Sequence, residues 1–164
     1  MTGISYRYRH RTPDLLHARD PTLSKFCWRC VGAVGSLFHI FWECPLIGPF
    51  WIKIQELLQA LLSHPVPLSP LHFILGLPLT GLPKTSQKRM SFVLLAAKRA
   101  IPRLWLSTSP PTIHQVLSII VDTRRMEHLT AKIEDTLPLF ESIWKLWDDS
   151  EFSSGYLPDP SHES

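Results

Sequence analysis

The chain has 164 residues, 45% of them hydrophobic, with fifteen prolines and a formal net charge of +3. That supplies one buried core, or a small domain with flexible ends, and the prolines imply frequent breaks. No apolar run reaches the ~18 residues of a membrane span; the longest candidate, Leu46 to Leu62, is broken by Lys53, Gln55, Glu56 and Gln59.

The first residues, MTGISYRYRHRT, lack the apolar stretch of a signal peptide. There is no asparagine and hence no N-glycosylation sequon, and three cysteines with one close pair do not form a secreted disulfide framework. The expectation is an intracellular protein, in nucleus or cytoplasm, with reduced thiols. Charge is unevenly spread: residues 84–103 hold six Lys/Arg and no acid, while residues 104–164 hold four basic and ten acidic residues. Such blocks suit an anionic partner, and equally well describe solvated faces.

In chain order, residues 1–25 read as a basic arm and a short helix. Arg7, Arg9 and Arg11 alternate with Tyr6, Tyr8 and His10, a pattern open to an edge strand or an irregular arm. Thr12 as cap and Pro13 at the first helical position start a helix to Arg19, anchored by Leu15 and Leu16. Residues 26–63 hold a metal-ligand pattern and a following helix, from Pro49 to about Ser63, whose stripe is Phe50, Ile54, Leu57, Leu58 and Leu61.

Residues 64–84 form a proline-rich strap too apolar for a solvated linker, with Leu68, Leu71, Phe73, Ile74, Leu75, Leu77 and Leu79 pinning it to the helices. Residues 85–148 are helical. From about Thr85 to Leu106 one face gathers Met90, Val93, Leu94, Ala97, Ile101 and Leu104, and the other Lys88, Arg99 and Arg103, with Arg89 on the flank. Pro102 should kink or shorten that helix. The next begins after Pro110-Pro111-Thr112 with Ile113, Val116, Leu117 and Ile120, then its stripe shifts to Met126, Leu129 and Ile133. An interruption near Asp122 to Arg125 would account for the shift. A last helix near Leu139 to Trp147 carries Phe140, Ile143, Trp144 and Trp147, and residues 149–164 read as a disordered polar tail.

The recognisable chemistry lies in Cys27-x2-Cys30-x8-His39-x4-Cys44, which uses every cysteine in the chain. Three thiolates and an imidazole suit tetrahedral Zn2+, and a full ligand set makes a structural site with no open position. The competing reading makes the cysteines small buried hydrophobes and His39 an ordinary histidine. Gly32 and Gly35 permit a reversal between the ligands, and Ser36 caps the segment bearing His39. A five-residue offset rotates about 140° on a regular helix, so the turn must loosen or stop near Cys44; Pro45 is the breaker. Phe38, Phe41 and Trp42 read as a small core against the metal. Trp28 and Arg29, between two ligands, are candidate base and phosphate contacts, though Trp28 reads equally as core. No Walker-type loop, H-E-x-x-H or G-x-S-x-G occurs, and Asp148-Asp149 reads as the polar end of a helix, not a polymerase carboxylate pair. The other histidines are scattered without ligand spacing.

The run TPDLLHARDP followed by CWRCVGAVGSLFHIFWECPLIGPFW resembles the zinc-binding segment near the C-terminus of LINE-type, non-LTR retrotransposon reverse transcriptases. Cys27, Cys30, His39 and Cys44 match that family's proposed ligands, and Trp28, Trp42, Pro45, Phe50 and Trp51 its companion residues. FVLLAAKRAIPRLW and PPTIHQVL look like the helical segments that follow, with Pro102 a departure. The resemblance implies a truncated end of a larger polyprotein whose polymerase and endonuclease domains are absent, a non-catalytic accessory domain that binds RNA or single-stranded DNA. Trp28, Arg29, Lys88, Arg99 and Arg103 are the expected contacts. The alternative is a module that braces polymerase domains through protein contacts. The expected fold is mainly α: a small zinc-knuckle-like element with ligands in the order Cys-Cys-His-Cys, then about four helices with a Pro-rich strap.

Overall fold

The computed structural model describes residues 11–104 and 106–154. Within them the chain is mainly helical and no strand longer than an isolated bridge forms. The helices are α1 (Pro13–Arg19), α2 (Gly48–Leu62), α3 (Pro70–Phe73), α4 (Lys84–Arg103), α5 (Ile113–Ile133) and α6 (Leu137–Asp148), with a π-turn at His39–Glu43 and a 3-10 turn at Glu151–Ser154. The alternating arm of Tyr6 to His10 lies outside the described residues.

Helix α4 is the hub, packing on α2, α5 and α6. Its inward face combines Met90, Val93, Leu94 and Ile101 with Ala96, Ala97 and Ala100; the three alanines let neighbouring backbones come close. Opposite them lie Ile54, Leu58 and Leu61 of α2, Val116, Leu117 and Ile120 of α5, and Phe140, Ile143, Trp144 and Trp147 of α6. Burying each such side chain is worth about 1.5–3 kcal/mol before chain entropy is counted. Phe92 stacks on Trp144 at 5.0 Å, and Arg124 lies over Phe140 while pairing with Asp148 at 2.5 and 2.7 Å. Both partners of that pair are about one-third exposed, so solvent screening holds its contribution to at most about 1 kcal/mol. Asp148 and Asp149 are the polar end of α6, as expected.

The strap is held at fewer points than its composition promises. Val66, Phe73 and Leu79 are buried, whereas Leu68, Leu71, Leu75 and Leu77 are exposed. Polar side chains on the helices do much of the fastening. Gln55 and Gln59 bond the backbone of Val66 at 2.7 and 3.3 Å, Gln87 bonds both backbone groups of Leu79, and Lys98 Nζ donates to the Ile74 carbonyl at 3.2 Å. Within the strap Ser69 caps α3 by accepting from the Leu71 amide.

Four expectations are corrected. α5 is one unbroken helix, begun by a Thr112–Gln115 capping box. Its stripe shifts because past Val121 the helix meets the core on another side, through Arg124 and His128 on Phe140 and the buried Ala131, while Met126, Leu129 and Ile133 face solvent. Thr12 does not cap α1: its hydroxyl donates to the Asp14 carboxylate instead. Thr12 and Pro13 are the buried anchors, while Leu15 is exposed. The chain past residue 149 keeps its order through Glu151–Ser154, because Phe152 packs on the core.

Pro13 is seated against Gly35, where a Cβ would come within 2.6 Å of the proline ring. Gly48, at the start of α2, has nothing within 4 Å. Gly35→Ala is therefore expected to cost about 1–3 kcal/mol through overpacking, whereas Gly48→Ala should be neutral or add up to about 1 kcal/mol. Thermal denaturation of the two variants checks this; equal Tm values would refute the close seating of α1.

Candidate metal centre

A short hairpin presents the first two cysteines. Phe26 and Val34 form an antiparallel bridge, the Cys27 amide donates to Ala33 at 2.8 Å, and Gly35 donates to Lys25 at 2.9 Å. At its tip the Val31 amide returns to the Cys27 carbonyl at 3.0 Å. The left-handed position there is taken by Val31, φ 54°, rather than by either glycine, a costly conformation for a β-branched residue. Gly32 keeps negative φ, and Gly35 is needed for the approach of Pro13, so both glycines miss the role expected of them.

The other two ligands come from the π-turn. Ser36 caps the segment as expected, its Oγ accepting from the His39 amide at 3.1 Å. The Cys44 amide then reaches back five residues to the His39 carbonyl at 2.8 Å. An i→i+5 bond is the loosening that the His39–Cys44 offset demands, because it carries the two side chains toward one side. Pro45 makes it consequential. The Ile40 carbonyl faces a proline at i+5, which has no N–H, and its i+4 amide is already spent on His39. Arg29 Nη1 takes that carbonyl at 2.8 Å, and Trp51 Nε1 takes the neighbouring Phe41 carbonyl at 2.6 Å.

The result brings Cys27, Cys30, His39 and Cys44 together, with one ligand atom from each lying within 4.8 Å of the others. Cys27 and Cys44 sulfurs are 4.0 Å apart, and Cys30 Sγ is 3.3 Å from His39 Nε2. Tetrahedral ligands on metal–sulfur bonds of about 2.3 Å sit about 3.8 Å apart, so the spacing is compatible with one four-coordinate ion. All three cysteines are free, and 4.0 Å is far from a disulfide's ~2.05 Å. Cys27, Cys44 and His39 are buried and Cys30 is partly exposed.

Electrostatics divides the thiols. Burial pushes Cys30 up, but the Gly32 amide, His39, the Ala33 amide and Cys27 outweigh it and bring the thiol down to about 6. Burial pushes Cys44 up, eased by the Leu46 amide and reinforced by the charge of Cys27 and Cys30. Amides two and three residues past Cys30, and two past Cys44, thus converge on sulfur, which is how backbone supports thiolates around a cation. A divalent ion at the centre would deprotonate all three.

The remaining expected residues fall apart spatially. Arg29 is 6% exposed and turned inward, so it is no contact for an external partner. Its Nη1 is spent on the Ile40 carbonyl. Trp28 is half-buried and, with Phe41 and Trp42, packs on the core, whereas Phe38 is exposed. Lys88, Arg99 and Arg103 are exposed on α4 with Lys84. Arg89 is buried, its Nε donating to the Ile143 carbonyl at 2.8 Å. Trp51 is the supporting residue that periodicity missed: it lies just off the apolar stripe, and only its indole N–H hints at a polar task. No helix among the described residues is long and apolar enough to cross a membrane. No protein-family model matches the chain.

In metal-free protein at pH 7, Cys30 should react first with iodoacetamide, since it is the accessible thiol and lies above its titration point of about 6. Cys44, buried and shifted upward, should react last, and a bound divalent ion should protect all three. Peptide mapping by mass spectrometry reads the order; equal rates would mean the ligand element is not formed without metal.

Proposed function

We infer that Cys27, Cys30, His39 and Cys44 hold a structural Zn2+, and that the chain is a non-catalytic accessory module that binds RNA or single-stranded DNA. The observation that carries the metal is the convergence of three sulfurs and one imidazole nitrogen within 4.8 Å. That donor set favours zinc over Mg2+ or Ca2+, which take oxygen ligands. With all four positions filled by protein, the ion braces a fold and offers no site to a substrate. Its binding would supply about 10 kcal/mol or more to folding of the element.

The nucleic-acid reading rests on α4. Of the six cations in its acid-free span, Arg89 and Lys98 are occupied by carbonyls, and Lys84, Lys88, Arg99 and Arg103 stay exposed. From Lys88 to Arg103 they cover about 22 Å of helix. Lys88 shares a depression with Glu127 and Glu134, while Arg103 borders His114, Gln115 and Ser118 without an acid. The Arg99–Arg103 end is therefore the stronger phosphate contact. This reading agrees with the resemblance to the C-terminal segment of non-LTR reverse transcriptases, in which the module would serve polymerase domains carried elsewhere in a polyprotein. A second reading, a protein-interaction brace, is favoured by one feature: the exposed row Met126, Leu129 and Ile133 on α5, with Ile133 86% exposed.

Purified protein is expected to carry one zinc per chain by atomic emission, and Cys30→Ser to lose it with a marked fall in Tm. Binding to a fluorescent single-stranded RNA should weaken with salt with a log–log slope near ~−3 for about four phosphate contacts. Arg99→Glu with Arg103→Glu should cut affinity more than about tenfold and flatten the slope to about −1.4. RNA binding that ignores salt, or none at all, would leave the brace as the better reading; absence of zinc would remove the metal site.

A further inference from the structure

We propose that Arg29 is the resident counter-charge of the metal centre, a buried cation that sets metal affinity by neutralising the thiolate cluster. This rests on the zinc reading above.

Three thiolates, a neutral imidazole and Zn2+ leave one net negative charge in a pocket where Cys27, Cys44 and His39 are all buried. An uncompensated buried charge is costly. Arg29 stands beside the cluster, 6% exposed, and no carboxylate among the described residues pairs with it. Nη1 donates to the Ile40 carbonyl at 2.8 Å; Nε and Nη2 are buried without an oxygen or nitrogen acceptor, which leaves the Cys44 sulfur as the guanidinium's other partner. Burial disfavours its charge, while Cys44, Cys27 and Cys30 attract it, Cys44 most strongly. One hydrogen bond to a neutral carbonyl does not explain burying a guanidinium whose other nitrogens have no oxygen or nitrogen acceptor. A cluster carrying one negative charge does, and each member of the pair removes the desolvation problem of the other.

Two roles are thus separable: the tie to Ile40 needs an N–H donor, and the charge balance needs a cation. Arg29→Lys keeps the charge, and Arg29→Gln keeps a neutral donor. Zinc affinity of the full chain is measured by competition with a chromophoric chelator, with circular dichroism confirming that the helices persist. Arg29→Lys should stay within about threefold of the native chain, and Arg29→Gln should lose about 10–100-fold, the range for groups that support metal ligands. In a Cys30→His background, where the loaded site is formally neutral, Arg29→Gln should cost less than about threefold, which reads the charge even if the single variant is poorly folded. Native affinity in Arg29→Gln, equal losses in Lys and Gln, or the same penalty in both backgrounds would overturn the proposal while leaving the zinc site standing. A native chain that takes up no zinc would overturn both.

Discussion

The hydrogen bond from the Cys44 amide to the His39 carbonyl is the constraint on which the N-terminal third turns. A regular helix would send His39 and Cys44 to different faces. Skipping one residue in the ladder brings them together and leaves the Ile40 carbonyl without a helical partner, because Pro45 has no N–H to give. Side chains from outside the turn bond the carbonyls here. Ile40's carbonyl accepts from Arg29 of the Cys27–Cys30 turn, and Phe41's accepts from the indole of Trp51 on α2. One loosened turn thereby joins the cysteine hairpin to the helical bundle, by demand for backbone hydrogen bonds and not by apolar contact alone.

Trp51 passes the connection on. Its ring lies 5.8 Å from Trp42 of the π-turn and 5.7 Å from Phe73 of the strap, with Trp42 and Phe73 themselves 5.9 Å apart. The cluster explains how a proline-rich strap with several exposed leucines stays in place: Phe73 is wholly buried in it. Beyond Trp51 the fold changes character. α4, α5 and α6 share an ample aliphatic and aromatic core, whereas residues 26–47 bury little besides Cys27, Ile40, Cys44 and Ile47 among their apolar side chains. So small an element gains little from burial of apolar surface. The metal-ligand cluster sits where the hydrophobic account runs short.

Much of this was legible in the residues. The Cys27-Cys30-His39-Cys44 spacing announces the cluster, Pro45 marks where the helix must yield, α1 and α2 follow from proline starts, and α2 and α6 from apolar stripes. What escaped shares a cause: it depends on groups made needy by distant structure. A reading by residue type puts Arg29 on the surface, since charge prefers water, and nothing local announces an orphaned carbonyl eleven residues on. Val31 occupies a left-handed position that local preference would give to Gly32. The α5 stripe reads as a break because periodicity assumes that every apolar row meets a core, and Met126, Leu129 and Ile133 meet none.

The same need for partners decides which cations remain on the surface. Counting charges in residues 84–103 gives a row of six, yet Arg89 is buried against the α6 carbonyls of Ser142 and Ile143, and Lys98 is half-buried with its ammonium on Ile74. Burial lowers the affinity of both for their protons. Neither projects a free charge into solvent. Arg89 differs instructively from Arg29: each donates to a helical carbonyl and each has a buried nitrogen without an oxygen or nitrogen acceptor, but Arg29 alone has a group of potential anions at its side. Arg89 therefore serves helix packing, Arg29 lies with the Cys/His cluster, and the exposed positive charge of α4 comes from Lys84, Lys88, Arg99 and Arg103. A basic segment is a property of sequence; a basic surface is what remains after the fold has met its own need for donors.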